Sequence, residues 1–289
     1  MSIESQNDRR RNPRHPTSPD EELLEAQTWA IVSELDDESR IDRIADELAM
    51  GFRALAHVGK AVSIFGSART SRDDRQYHQA RALARRLGNE GFAIITGGGP
   101  GIMEAANRGA RDAGVPSIGL AIDLPNEQGV NRYVDVPLAF HYFFARKVMF
   151  VRYASGFVVF PGGFGTLDEL FEAATLRQTE KIRYFPIVLY EHRYWRGLLE
   201  WLRDHVAAEG KISREDVELL QVADDPKRVI ELVEAVEHGC LVRHRDGQAF
   251  ETQRPHPAER QARGSLGHLE GKVRPVEPSG GEGGVEDGG

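Results

Sequence analysis

The sequence predicts an α/β fold: a doubly wound, Rossmann-like parallel sheet with helices on both faces, plus an N-terminal helical extension. Short, continuously apolar runs alternate with helical stretches, the pattern of a parallel sheet covered on both sides. Several of those runs empty into glycine-rich turns, as strands do at the crevice of an open α/β sheet. The chain has 289 residues, 40% of them hydrophobic, which suffices to bury such a core.

Residues 1–19 are polar and punctuated by proline, so disorder is expected there. The helical extension is expected over 20–58. Its first pattern begins at Pro19-Asp20 and carries Leu23, Leu24, Trp29, Ile31 and Val32. The second runs from about Ser39 to Val58, with Ile41, Ile44, Leu48, Phe52 and Leu55 at helical spacing. The Rossmann-like domain is expected over 59–240. Its strands are predicted at 61–65, 92–96, 117–122, 157–160 and 185–190, with another near 133–136. Helices are predicted at 77–89, 102–113, 141–153 and 167–179, and two more at 194–208 and 226–237. The tail, 241–289, is rich in Arg, Gly, Pro and Glu and is expected to be disordered, because it has too little apolar surface to offset its ordering entropy.

Bulk properties exclude several functions. A net charge of −8 argues against general nucleic-acid binding. Cys240 is the single cysteine, so no intrachain disulfide forms, and no Cys/His spacing resembles a zinc site. No apolar stretch reaches the ~18–20 residues that cross a bilayer. The basic N-terminus lacks the apolar core of a secretory signal. These features predict a cytoplasmic protein with no membrane or nucleic-acid partner.

Three strand ends carry the small residues that a ligand site needs. The first strand runs into Gly66-Ser67, the second into Gly97-Gly98-Gly99-Pro100-Gly101 and a helix, and the strand at 157–160 into Pro161-Gly162-Gly163-Phe164-Gly165-Thr166. Glycine permits close backbone approach, and a helix N-terminus favours an anion. Gly66, Ser67, Gly98 and Gly99 are therefore candidate binding residues. The loop at 97–101 is neither a dinucleotide fingerprint nor a Walker sequence. Two anion-cradling loops in one sheet suggest a nucleotide monophosphate. The helix at 141–153 is apolar nearly all round and is expected to be buried, yet it carries Arg146 and Lys147. A buried arginine needs an anionic partner, and Glu169 or a phosphate is the economical candidate. Asp168 and Glu169 are placed in the first turn of their helix, where a carboxylate also serves as a dipole-stabilising charge. Glu172 follows one turn later, as a supporting acid or an exposed charge.

The run Pro161-Gly162-Gly163-Phe164-Gly165-Thr166-Leu167-Asp168-Glu169 resembles the PGGxGTxxE signature of the LOG ("Lonely Guy") family, long labelled lysine decarboxylases. Arg146-Lys147 is similar to that family's basic pair, and 97–107 resembles its first glycine loop. The resemblance covers about residues 60–238. It implies hydrolysis of the N-glycosidic bond of an N6-modified adenosine 5′-monophosphate to free base and ribose 5-phosphate, by a cytokinin riboside 5′-monophosphate phosphoribohydrolase. It implies catalytic roles for Arg146 and Glu169, with substrate contacts at Lys147, Gly162, Gly163, Gly165 and Thr166. It also implies an AMP-like substrate, no metal or cofactor, and a homodimer or dimer-based hexamer. Two alternatives remain open. One is a general purine/pyrimidine nucleotide 5′-monophosphate nucleosidase, and the other a non-enzymatic carrier of a nucleotide-like cofactor. Glu104-Ala105-Ala106 departs from the glycines of many members, which leaves base preference open.

Overall fold

The structure, a computed structural model, describes residues 18–25, 36–123 and 129–237. Trp29, Ile31 and Val32, the first 17 residues and the tail lie outside the described residues. Helices α1 (Pro19–Glu25) and α2 (Asp37–Leu55) precede β1 (Ala61–Phe65), α3 (Arg75–Asn89), β2 (Ala93–Thr96), α4 (Ile102–Ala113) and β3 (Ser117–Ile122). There follow β4 (Val136–Phe140), α5 (Phe143–Tyr153), β5 (Phe157–Val159), α6 (Phe164–Gln178) and β6 (Ile187–Tyr190). Helix α7 (His192–Trp201) runs on into a π turn at Leu202–Ala207, and α8 (Arg214–Glu218), β7 (Leu220–Ala223) and α9 (Pro226–Glu237) complete the order.

All seven strands pair in parallel, in the order β4-β3-β2-β1-β5-β6-β7. From β1 the chain steps outward through β2 and β3 to β4, then returns to the other side of β1 and steps through β5 and β6 to β7. Alternate residues of β1 feed two cores. Val62 and Ile64 pack with Tyr77, Leu83, Ala105, Val229 and Val233 from α3, α4 and α9. Ala61 and Phe65 pack with Leu55, Met149, Phe150, Leu170 and Trp195 from α2, α5, α6 and α7. This is the expected doubly wound fold.

Some elements differ from expectation, each for a physical reason. Strand β4 lies at 136–140, not 133–136, because Pro137 reads as a break. As the edge strand it tolerates a proline with no N–H to donate, and Leu138 and Phe140 still face inward. Helix α8 and strand β7 were not anticipated. The helix is five residues long, too short for a periodic signal, and is set by a Ser213–Asp216 capping box. Helix α5 is not buried all round: Phe144 and Val148 are 41% and 42% exposed, since only the face carrying Ala145, Met149 and Phe150 meets the core. Helix α6 starts at Phe164, three residues before the expected 167.

Helices α3 and α4 approach most closely at Gly109, where a Cβ would collide with the Arg81 carbonyl oxygen and crowd Ala84. Backbone cannot give way as a flexible side chain does. Gly109→Ala is therefore expected to cost about 2 kcal/mol, measured as a lower midpoint in urea unfolding with an unchanged slope.

Candidate functional site

The sheet order reverses between β1 and β5, so connections leave these neighbouring strands in opposite directions and open a crevice at their carboxyl ends. A cavity of about 970 Å³ lies there. Gly66, Ser67 and Arg69 line it after β1, Gly97, Gly99 and Met103 after β2, and Gly163, Gly165, Thr166 and Glu169 after β5. Arg146, Phe143 and Phe150 of α5 form another wall. The ends of β3 and β4 supply Ile122, Asp123 and Leu138, with Val130 from the loop between them.

The loops are stitched to each other through the backbone. The Ser67 N–H donates to the Pro161 carbonyl (2.9 Å), and the Ser67 carbonyl accepts from the Ile102 N–H (3.1 Å). Gly101 sits at φ +67°, and a Cβ there would strike the Ser67 carbonyl. Asn131 Nδ2 donates to the Gly98 and Gly99 carbonyls at 2.9 and 3.0 Å. It also donates to Asn107 Oδ1 (2.9 Å), which accepts from Thr96 Oγ1 (2.7 Å). On the other side Tyr194 donates its hydroxyl to the Gly162 carbonyl at 2.8 Å.

Because α6 begins at Phe164, Thr166 stands in its first turn and Glu169 in its second. The Thr166 N–H already donates to the Gly163 carbonyl (3.0 Å), so the N–H groups of Gly163, Phe164 and Gly165 are the ones this helix start offers to an oxyanion. Glu169 is too far along to cap that end, which removes the helix-start role that its sequence position suggested. Its side chain is 3% exposed, and among the described residues neither carboxylate oxygen finds a hydrogen-bond donor. Arg146 Nη2 lies 3.7 Å from Glu169 Oε1. Burial nevertheless outweighs the pull of Arg146 and Lys147, and the Glu169 carboxyl is pushed up to about 7. Glu169 is the anionic partner expected for the buried Arg146, but desolvation has the larger effect on the Glu169 carboxyl.

The structure brings Gly66, Ser67, Gly99, Gly163, Gly165, Thr166, Arg146 and Glu169 to one cavity. Lys147, Gly98 and Gly162 are not among the lining residues. Lys147 turns away to bridge Asp168 (2.9 Å) and Glu172 (3.0 Å), which explains both acids as partners across the α5–α6 contact. Gly98, at φ +76°, and Gly162, which packs directly on Thr166, shape their loops from behind. Glu104 is buried and taken by Arg72 (2.7 and 2.9 Å) and the Tyr77 hydroxyl (2.7 Å), so it fastens the loop after β1 to α4. Arg69, Met103, Val130, Leu138 and Asn131 were not singled out in the sequence, since only tertiary contact brings them to the crevice.

Residues 103–233 match the family model described as possible lysine decarboxylase. A cytokinin riboside 5′-monophosphate phosphoribohydrolase of Rhodococcoides fascians is 26% identical over 161 residues, covering 53% of this chain and 79% of that protein. Over these residues the chain is similar to the LOG family. A pyrimidine/purine nucleotide 5′-monophosphate nucleosidase of Escherichia coli strain K12 is 33% identical to this chain over 174 residues. That match takes in 54% of this chain and 36% of the nucleosidase, so the chain spans about a third of that relative's length. Among solved structures, the molybdenum cofactor carrier protein of Chlamydomonas reinhardtii is 22% identical with a TM-score of 0.47, covering 62% of this chain and 98% of that one. No helix among the described residues is long and apolar enough to cross a membrane.

The raised Glu169 group has a consequence for stability. Folded, it holds its proton up to about pH 7; unfolded, it releases it near its ordinary value of 4.5. Stability is thus lost as pH rises through that window, because the unfolded state ionises first. Glu169→Gln, which mimics the protonated form, should change stability little at pH 5. At pH 8 it should stabilise by up to about 3 kcal/mol, read by thermal unfolding of both proteins at the two pH values.

Proposed function

We propose that this domain binds a nucleoside 5′-monophosphate in the β1–β5 crevice and hydrolyses its N-glycosidic bond, giving free base and ribose 5-phosphate. The observation that carries the reading is the buried carboxylate of Glu169, which finds no hydrogen-bond donor among the described residues, one helical turn from an anion-ready helix start in the same cavity. A bound 5′-phosphate on the 163–166 turn and the Thr166 hydroxyl places the ribose toward Glu169. As the C1′–N bond lengthens, positive charge grows at C1′, and the ionised carboxylate stabilises it and holds the attacking water. Water delivers its hydroxyl to C1′, and its proton balances the charge on the departing base. Arg146 orients the carboxylate and favours its ionised form. Asp168, bound to Lys147 outside the cavity lining, has no part in this chemistry.

The base is taken to be unrestricted, purine or pyrimidine. The higher identity to the nucleosidase supports this over an exclusive cytokinin substrate. The apolar wall of Ile122, Val130 and Leu138 suits the face of a base and carries no polar group that would demand a particular one. Phe164, 91% exposed, together with Phe144, Val148 and Phe171, leaves apolar surface beside the cavity, which supports the expected homodimer or dimer-based hexamer.

Release of base and ribose 5-phosphate from AMP, CMP, UMP and N6-isopentenyladenosine monophosphate, followed by chromatography, tests the reading. Turnover of the unmodified nucleotides is expected, and binding without release from any of them would leave a carrier. Activity should rise with pH through about 7 as Glu169 ionises. Glu169→Gln should lose at least ~100-fold in kcat while still binding AMP. Thr166→Ala should act mainly on KM, and an effect confined to kcat would contradict the phosphate assignment.

A further inference from the structure

We propose that the N-terminal extension is part of the active-site scaffold: Glu47, aided by Asp20, holds the start of α5 and thereby sets where Arg146 meets Glu169. The proposal rests on the functional reading above, and it makes Glu47 a positioning residue.

Helix α5 starts without a cap of its own, since Tyr142 at its N-cap offers no side-chain acceptor. The N–H groups at such a start need acceptors from elsewhere. A carboxylate from the extension supplies acceptors there. Glu47 of α2 accepts from the His141 N–H at 2.9 Å and the Tyr142 N–H at 3.3 Å, and its Oε1 lies 2.5 Å from His141 Nδ1. Asp20 of α1 lies close enough to the Phe143 N–H and to Arg146 for both to favour its charged form. Glu47 is 6% exposed, so its carboxylate is committed to these contacts. Negative charge at this end of a helix is also favoured by the helix dipole.

The extension then follows α5 along its length. A Cβ at Gly51 would lie 2.7 Å from Met149 Sδ, so α2 presses directly on the middle of α5. Tyr153, at the far end, donates its hydroxyl to the Phe52 carbonyl at 3.2 Å, and Arg152 lies over the Phe52 ring. Arg43 and Glu22 tie α2 to α1 at 3.3 Å. Arg146 stands one turn into α5, and its N–H bonds back to the Tyr142 carbonyl. Any shift of the capped start is therefore passed to the guanidinium, where about 1 Å of displacement is costly to a reaction. His141 extends the link, with Nε2 3.7 Å from Asp123 of the cavity wall.

The charges that face Glu169 are Arg146 and Lys147 from α5 and Asp168 and Glu172 from α6. This gives the test its sign. Removing a carboxylate at position 47 by itself makes Glu169 easier to ionise, whereas letting Arg146 drift away makes it harder. The full chain is compared with Glu47→Ala and Glu47→Gln by 13C NMR titration of the Glu169 carboxyl, assigned with Glu169→Gln. Asp20→Asn serves in addition if both Glu47 variants unfold. An upward move of the titration midpoint on the order of 1 pH unit is expected. A fall in kcat on AMP on the order of 10- to 100-fold, with KM nearly unchanged, should accompany it, and the Gln variant should be less affected than Ala. A folded variant in which Glu169 titrates at or below its wild-type midpoint overturns the proposal. If wild type itself releases no base from any nucleotide, the nucleosidase reading fails, and the titration still decides the role of Glu47.

Discussion

The peptide of Ser67 is bonded on both sides, and the geometry of the crevice depends on it. At a switch in strand order, the loops leaving adjacent strands diverge, and nothing in the sheet itself holds them together. Here the Ser67 N–H reaches the loop after β5 and its carbonyl reaches the start of α4. Side chains cannot intrude on that junction, which is why Gly101 is confined to glycine. With the loops fixed, the helix starts of α4 and α6 open onto one space, and the backbone N–H groups of residues 163–165 border it.

Against that rigid frame, Glu169 is set in conflict with its surroundings. Burial presses it toward the neutral form and Arg146 toward the charged form, and the balance falls near neutrality. A carboxyl poised there changes charge within the range where enzymes work. The cation that tips the balance is carried on α5, whose start is anchored by a carboxylate from outside the sheet domain. Fold, extension and chemistry thus converge on the relation between two side chains.

The fold was legible because its signals are local. Apolar runs and glycine turns mark β1, β2, β3 and β5 within a residue or so of their observed bounds, and the run from Pro161 to Glu169 marks a wall of the candidate cavity. What escaped depends on neighbours far along the chain. Pro137 is acceptable only because β4 is an edge, and β7 is too brief to stand out. The exposure of Phe144 and Val148 follows from which face of α5 meets the sheet, a fact absent from their spacing. Lys147 looked like half of a basic pair, but Asp168 and Glu172 claim it across the helix contact. The burial of Glu169 outweighing Arg146 is likewise a property of the assembled cavity. Asn131 and Glu47 act over separations of 32 and 94 residues, beyond any sequence motif.

The proposed chemistry depends most directly on where the phosphate and the anomeric carbon lie. A crystal structure of the Glu169→Gln variant with AMP measures both. The 5′-phosphate is expected on the N–H groups of residues 163–165 and the Thr166 hydroxyl, with C1′ next to the residue-169 side chain and the base toward Ile122 and Leu138. A phosphate seated instead in the Gly97–Gly101 loop, with C1′ remote from position 169, would contradict the proposed chemistry.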